Sequence, residues 1–268
     1  MTVDPPTSEP RAEIGVIGGS GLYALLEDAA EVTVDTPYGP PSAPITLGTV
    51  AGRQVAFLPR HGLHHQFPPH LVPYRANLWA LHHLGVHHVL APCASGTLQA
   101  EIDPGTFVVP DQLVDRTTRR VATFFDGPEV HHLPFADPYC PTLRQAALEA
   151  CRHEGVTVRD GGTVVVIEGP RFSTRAESRW YSSMGWEVIN MTQLPEAALA
   201  AEAGLGYAAI ALITDRDAGV EGTDIAPVTH EEVFAVFEAN LERVRRVLLQ
   251  ALTTDLAPCR HDPGPGFT

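Results

Sequence analysis

The stretch ALITDRDAG (211–219) sets two carboxylates, Asp215 and Asp217, one residue apart at the end of an apolar run. In an extended chain alternate side chains share a face, so the pair can point into one pocket. Like charges that close oppose each other unless a donor or a shared proton settles the conflict. Such a pair suits proton transfer or the capture of two donors. It equally suits a strand-to-loop junction, where aspartates cap a turn and Arg216 makes a surface ion pair.

LPRHG (58–62) supplies opposite charge. Arg60 offers a planar fork for phosphate oxygens, and His61 an N–H that an adjacent anion can charge. In GVIGGSGLYALL (15–26) a glycine turn lets backbone N–H groups approach an anion, with the Ser20 hydroxyl as a further donor. The same run, Gly19 to Ala24, fits the dinucleotide pattern G-x-G-x-x-A. The next stretch of chain, EDAAEVTVDTPYGPPSAP, is short and turn-rich and matches a βαβ unit poorly. Phosphate is the better reading.

Four further features could face a ligand. APCASGTL (91–98), with Cys93 and Ala94, is a small-residue loop after a strand, where backbone amides can point outward. VIEGPRFSTRAES (166–178) carries Glu168, Phe172 and Ser173 into a helix; Phe172 can stack on a flat base or fill core. VINMTQLPE (188–196) ends a strand at Met191 and Thr192, a thioether and a hydroxyl suited to an anion beside a sugar face. Histidines crowd His64, His65, His70, His82, His83, His87 and His88. His83 and His87 lie four apart, but Gly85 ends the helix between them and no HExxH occurs, so no metal site is predicted. A G-x-S-x-G elbow and a P-loop are both absent from the sequence.

These residues need strand ends to hold them. EIGVIGG (13–19) reads as a buried first strand, and APITLGTV with RQVAFLPR as a hairpin around Ala51–Gly52. Residues 74–85 and 140–155 have helical spacing, each closed by a glycine. HHVLAPCA, TFVVPDQLVD, GGTVVVIEGPRF, EVINM and YAAIALITD read as strands. STRAESRWYSSMG and LPEAALAAEAG are helices between them, and a last helix spans about 230–252. Strands alternating with helices predict one α/β domain around a mostly parallel sheet covered on both faces, with ligands beyond the strands' carboxyl ends. The expected limits are a disordered arm over 1–12, the domain over 13–252 and a flexible tail over 253–268.

With 268 residues, 18 basic and 32 acidic, the net charge of −14 argues against nucleic acid or an anionic membrane as partner. A few local cations can still bind a small anion. The N-terminus lacks a basic start and apolar stretch, no apolar run is long enough to span a bilayer, and four cysteines form no CxxC pair. A cytoplasmic protein is expected.

Taken together, IGVIGGSGLY, DTPYGPPSAPI, LPRHG, PYRANLWAL, VDRTT, ADPYCP, IEGPRFSTRAES, VINMTQLPEAALAAEAG and ITDRDAG resemble the 5'-methylthioadenosine phosphorylases of the trimeric purine nucleoside phosphorylase family, in order from about residue 13 to 250. The resemblance implies a twisted mixed sheet, partly closed into a distorted barrel and flanked by helices. It implies a homotrimer that takes a purine nucleoside and phosphate as co-substrates, with no metal or organic cofactor. Matching positions place phosphate on Ser20, Arg60, His61, the Ala94 backbone and Thr192. They place Met191 and Phe172 against sugar and base, and Ser173, Asp215 and Asp217 at the purine. His132, in VHHLPFADPY, is expected to reach the sugar pocket of the neighbouring subunit. Asp215 is the expected partner of purine N7 and Asp217 of the exocyclic amino group. Relatives that prefer 6-oxopurines carry asparagine at the Asp215 position, so the pair favours adenine.

Two positions depart from the pattern. Cys93 stands where these enzymes often carry threonine. His230 stands near the place where an apolar residue usually meets the 5'-methylthio group and where enzymes accepting a 5'-hydroxyl have histidine; it can also simply open the last helix beside an N-cap at Thr229. Adenosine, 5'-deoxyadenosine and 6-oxopurine nucleosides therefore stand as alternative substrates. A nucleoside sensor without turnover and a dinucleotide-dependent oxidoreductase are the rival classes.

Overall fold

A run of five buried residues, Ile14–Gly18, makes strand β1. It belongs to a computed structural model that describes residues 12–19, 26–128, 130–220 and 229–257, without the side chains of Glu27 and His230. After β1 come β2 (Glu27–Val32), β3 (Ile45–Val50), β4 (Arg53–Pro59), a 3-10 turn at Pro69–Leu71 and helix α1 (Tyr74–His83). Next are β5 (His88–Thr97), β6 (Phe107–Val109), β7 (Gln112–Arg116) and α2 (Pro141–His153). Then come β8 (Val158–Asp160), β9 (Thr163–Ile167), α3 (Arg175–Ser183), β10 (Val188–Asn190), α4 (Gln193–Glu202) and β11 (Gly206–Arg216). Helices α5 (His230–Ala239) and α6 (Leu241–Leu252) come last.

Local chemistry explains most boundaries. Ala51 (φ 49°) and Gly52 (φ 83°) turn the β3–β4 hairpin with two left-handed residues, the arrangement that matches strand twist. Pro141 opens α2, where its missing N–H costs nothing. Thr174 and Glu177 close a capping box on α3. Three boundaries differ from the sequence reading. The strand expected over TFVVPDQLVD is two strands, β6 and β7, separated by Pro110 and Asp111. The segment read as turn-rich contains β2. The last helix breaks at Asn240, whose amide donates back to the Val236 carbonyl at 2.8 Å and so competes with the helix ladder.

The eleven strands among the described residues form one mixed sheet, ordered β2-β3-β4-β1-β5-β10-β9-β7, with β11, β6 and β8 branching from β5. The branch exists because β5 is long. His88–Leu90 at its start pair with β1, while Gly96 and Thr97 at its end pair with β10. β11 runs parallel along its other edge. Among the described residues no pairing closes the sheet into a ring, so the expected partial barrel is an open, branched sheet.

Alternation along the central strands feeds two cores. Ile17, Val89, Ala91, Tyr207 and Ala209 face α1 and α4, packing on Leu78, Leu81 and Leu199. Val16, Leu90, Ala208 and Ile210 face α2 and α6, packing on Leu143, Val247 and Leu248. Each large apolar side chain buried this way contributes about 1.5–3 kcal/mol. The result is a central sheet packed on both faces, with its carboxyl-side strand ends left to line a cleft. No helix among the described residues is long and apolar enough to cross a membrane.

Candidate functional site

The ends of β1, β4, β5, β10 and β11 open onto one cleft of about 730 Å³, a volume suited to a small ligand. Arg60 and Asp215 both line it. So do Gly19, His61, Cys93, Ala94, Met191 and Thr192, as well as Phe172, Ser173 and Asp217. Residues separated by most of the chain therefore share a single space.

At one end Arg60, only 3% exposed, follows β4. Its Nε donates to Glu196 Oε1 at 2.5 Å and its Nη2 to Glu196 Oε2 at 3.1 Å. Nη2 also donates to the Ile17 carbonyl at 2.8 Å, and Nη1 to the Pro92 carbonyl at 3.2 Å. Glu196 is fully buried and accepts a further bond from the Tyr207 hydroxyl at 2.9 Å. The sequence suggested a free fork for phosphate; instead the fork grips Glu196. Of the five guanidinium N–H groups, one on Nη1 remains for a ligand.

His61 sits beside it. Its Nδ1 donates to the Phe67 carbonyl at 2.8 Å, which fixes Nε2 as the ring's remaining site. Burial, reinforced by the Arg60 charge, pushes the imidazole down to about 4, so the ring is neutral near pH 7. Cys93 occupies the floor, 6% exposed, with its thiol near Ser95 Oγ (3.7 Å) and Gln193 Nε2 (3.6 Å). Burial raises its pKa, so it is a thiol there and not a thiolate. Asn190 links two strand ends. Its Nδ2 donates to the Ala94 carbonyl at 3.2 Å, while its Oδ1 accepts from the Thr192 and Gln193 amides at 2.7 and 3.0 Å. That fixes Thr192 at the start of α4 and aligns the cleft's floor with its side.

The carboxylate end is built differently. The β11–β5 register shifts between Ile213 and Asp215, a bulge that leaves Thr214 as the extra residue. Bulges bend a strand and re-aim its side chains, and here Asp215 is set opposite Gly96. A Cβ on Gly96 would stand 2.9 Å from both Asp215 Oδ2 and Ile189 Cγ2, so any side chain there must displace that carboxyl. The Thr214 hydroxyl donates to Asp215 Oδ1 at 2.7 Å. Burial raises the Asp215 carboxyl to about 6, against that hydrogen bond and with help from the charges of Asp217 and Glu232. Asp217 is 2% exposed, and burial raises it too, while the nearby Ser178 and Ser173 hydroxyls pull it back. Asp217 Oδ2 and Ser173 Oγ are buried with no well-formed hydrogen bond among the described residues. Buried polar atoms of that kind can receive a ligand or a water.

Phe172, 36% exposed, lines the cleft, so of its two readings the base-facing one fits its place better than core. Gly169 (φ 61°) lets the loop pass Met191, whose sulfur lies 2.7 Å from where a Cβ would stand. On the open side α5 contributes Val233, Phe234 and Phe237. Phe234 meets the His65 ring edge-on at 5.4 Å, and His65 stacks on His61 at 4.4 Å.

Not every expected residue is here. Ser20 lies outside the described residues. His132 is exposed in its loop and does not line this cleft. His230 comes directly after the N-cap Thr229, whose hydroxyl accepts from the Glu232 amide; its side chain lies outside the description. Among the described residues no group of three or more His, Cys, Asp or Glu could hold a metal ion. Sequence reasoning missed Glu196, Asn190, Gly96 and the α5 face. Glu196 left one signal: a carboxylate inside the alanine-rich LPEAALAAEAG must be paired if that helix is buried.

The chain is similar to several known proteins. The Phosphorylase superfamily matches residues 13–253. A purine nucleoside phosphorylase of Streptomyces coelicolor is 57% identical over 250 residues, covering 90% of this chain and 89% of the relative. An S-methyl-5'-thioadenosine phosphorylase of Mycolicibacterium smegmatis is 58% identical over 241 residues, covering 89% and 90%. The structure of methylthioadenosine phosphorylase from Schistosoma mansoni in complex with adenine superposes with a TM-score of 0.86 at 38% identity, covering 91% of each chain.

Proposed function

The chain belongs to the phosphorylase superfamily, and from that membership we propose the reaction its cleft runs. It is a pentosyltransferase that splits 5'-methylthioadenosine with inorganic phosphate, giving adenine and 5-methylthioribose 1-phosphate. The observation that carries this reading is the single cleft bounded by Arg60 and Asp215.

Phosphate binds at the Arg60 end, taking the free Nη1 hydrogen, the Thr192 hydroxyl, the Ala94 backbone and, as the sequence resemblance implies, Ser20. His61 is neutral with Nδ1 committed to Phe67, so Nε2 accepts the proton of monohydrogen phosphate, or takes one up as the anion arrives. As the C1'–N9 bond stretches, positive charge grows on the ribose and negative charge on the purine. The phosphate oxygen forms its bond to C1', the breaking pair moves into the purine, and Asp215 gives N7 a proton. A carboxyl titrating near 6 holds that proton in about one molecule in ten at pH 7. A carboxyl of ordinary acidity would hold it in about one in a thousand. Asp217 and Ser173, whose oxygens make no well-formed hydrogen bond among the described residues, take the exocyclic amino group and its neighbouring ring nitrogen. Phe172 and Met191 line base and sugar.

Phosphate is the co-substrate; no metal or organic cofactor enters the scheme. The active unit is a cytoplasmic homotrimer in which His132 serves the neighbour's sugar pocket. Mixing and reassembling inactive His132 and Arg60 variants then restores part of the activity. A second reading, phosphorolysis of adenosine or another 5'-hydroxyl nucleoside, is favoured by the relative named purine nucleoside phosphorylase and by His230. Free adenine should appear from methylthioadenosine only when phosphate is present. Release without phosphate, or no release, contradicts the reaction. Comparing kcat/KM for methylthioadenosine and adenosine, in wild type and His230→Val, separates the two substrate readings.

A further inference from the structure

Arg120 takes no part in the phosphorolysis scheme, yet its side chain is 2% exposed and its guanidinium lies between the two strand ends that wall the cleft. Nη2 donates to the Glu168 carbonyl at 2.6 Å and the Ile167 carbonyl at 3.3 Å, where β9 gives way to the loop carrying Phe172 and Ser173. Nη1 donates to the carbonyls of Met191 and Leu194, both at 2.6 Å, on either side of Thr192. It also reaches the Tyr74 hydroxyl at 3.3 Å, and the group lies over the Tyr74 ring at 5.5 Å. Leu194 has non-helical dihedrals inside α4 (φ −118°, ψ 131°), so its carbonyl stands outside the regular ladder. The Glu168 carboxylate is held from the same segment, by the Thr118 amide at 2.6 Å, and sits 3.9 Å from Arg120 Nε.

All four carbonyls belong to backbone at or beyond strand ends that carries cleft residues. A buried carbonyl outside a ladder needs a donor, and one rigid fork supplies both walls at once, which the point charge of a lysine does not. We propose that Arg120 is a positioning residue for phosphorolysis: its guanidinium locks the Phe172–Ser173 wall to the Met191–Thr192 wall and so sets the distance between nucleoside and phosphate. It touches neither substrate. This role rests on the proposed phosphorolysis.

The test compares wild type, Arg120→Lys and Arg120→Ala for adenine release from methylthioadenosine with phosphate, and for adenine binding without phosphate. A misplacement near 1 Å can cost about 10²-fold in rate, so kcat should fall about that far in Arg120→Ala and at least ~10-fold in Arg120→Lys. Adenine, which meets Asp215 and Asp217 at the end of β11 as well as the Phe172–Ser173 wall, should lose affinity far less than kcat falls and bind the variants within about tenfold of wild type. Added methylguanidinium should restore Arg120→Ala by ~10-fold or more and leave wild type unchanged, while methylammonium should not. A purely structural residue would lower the melting temperature and leave kcat per folded enzyme and its rescue unmoved. If Arg120→Ala does not fold, Arg120→Lys carries the test. Wild-type kcat in either folded variant overturns the proposal alone; a wild type that releases no adenine overturns the reaction, and the proposal with it.

Discussion

The two ends of the cleft differ in how their buried charge is settled. At the Arg60 end, four of the five Arg60 N–H groups already have acceptors, and Glu196 is matched by Arg60 and Tyr207. At the Asp215 end Asp217 Oδ2 and Ser173 Oγ make no well-formed hydrogen bond among the described residues, and burial raises the Asp215 carboxyl to about 6. One end is a finished framework into which an anion adds a last hydrogen bond. The other stores an unmet demand for donors and a proton of the right strength. The difference matches the proposed reaction: phosphate has only to be held in line, whereas the leaving base must be protonated as it departs.

The largest expected effect breaks the reactive end. General acid catalysis typically contributes about 10²–10⁴-fold, or roughly 3–5 kcal/mol. Asp215→Asn should cut turnover of adenine nucleosides by at least the lower figure and cost inosine-type substrates less. Equal losses on both substrates would remove Asp215 from the N7 role.

Breaking the framework end should show mainly in stability. Glu196→Gln leaves Arg60 buried without its counter-charge, a change that typically costs about 3–5 kcal/mol. Denaturant unfolding should report it, together with a raised KM for phosphate. A variant as stable as wild type would mean that Arg60 finds another partner.

The sign reverses at the purine end. Asp215 titrates at about 6 when folded, against an ordinary 3.8. Its protonated form therefore favours the folded state below pH 3.8, and that contribution is lost as pH rises through about 6. Above pH 7 the ionised, buried carboxylate costs on the order of 2–3 kcal/mol. Asp215→Asn should accordingly melt higher than wild type at pH 8, with the gap closing below pH 4. A variant that melts lower at pH 8 would contradict the stored-strain account.

The smallest change sharpens the geometry. Gly96→Ala places a methyl 2.9 Å from Asp215 Oδ2. Moving that carboxyl by a few tenths of an ångström should cost about tenfold in kcat, near 1.4 kcal/mol, with phosphate KM unchanged.

Part of this architecture is legible in the sequence. β1, the hairpin at Ala51–Gly52, α1, α2 and β11 carry their periodicity and turn residues locally, and LPRHG and ITDRDAG carry their charges openly. The rest depends on partners distant in the chain. Glu196 lies 136 positions from the arginine it binds. The bulge at Thr214 exists only against β5, and Arg120 acquires meaning only where β9 and β10 end side by side. Pro110 and Asn240 are visible as residues, but whether each breaks an element is decided by competing hydrogen bonds.

The central claim is that one small molecule touches both ends at once. A structure of the protein with phosphate and a slowly reacting methylthioadenosine analogue tests it directly. The account predicts a phosphate oxygen within hydrogen-bond distance of Arg60 Nη1, purine N7 equally close to Asp215, and C1' between them. Phosphate and purine in separate spaces, or N7 turned away from Asp215, would contradict it.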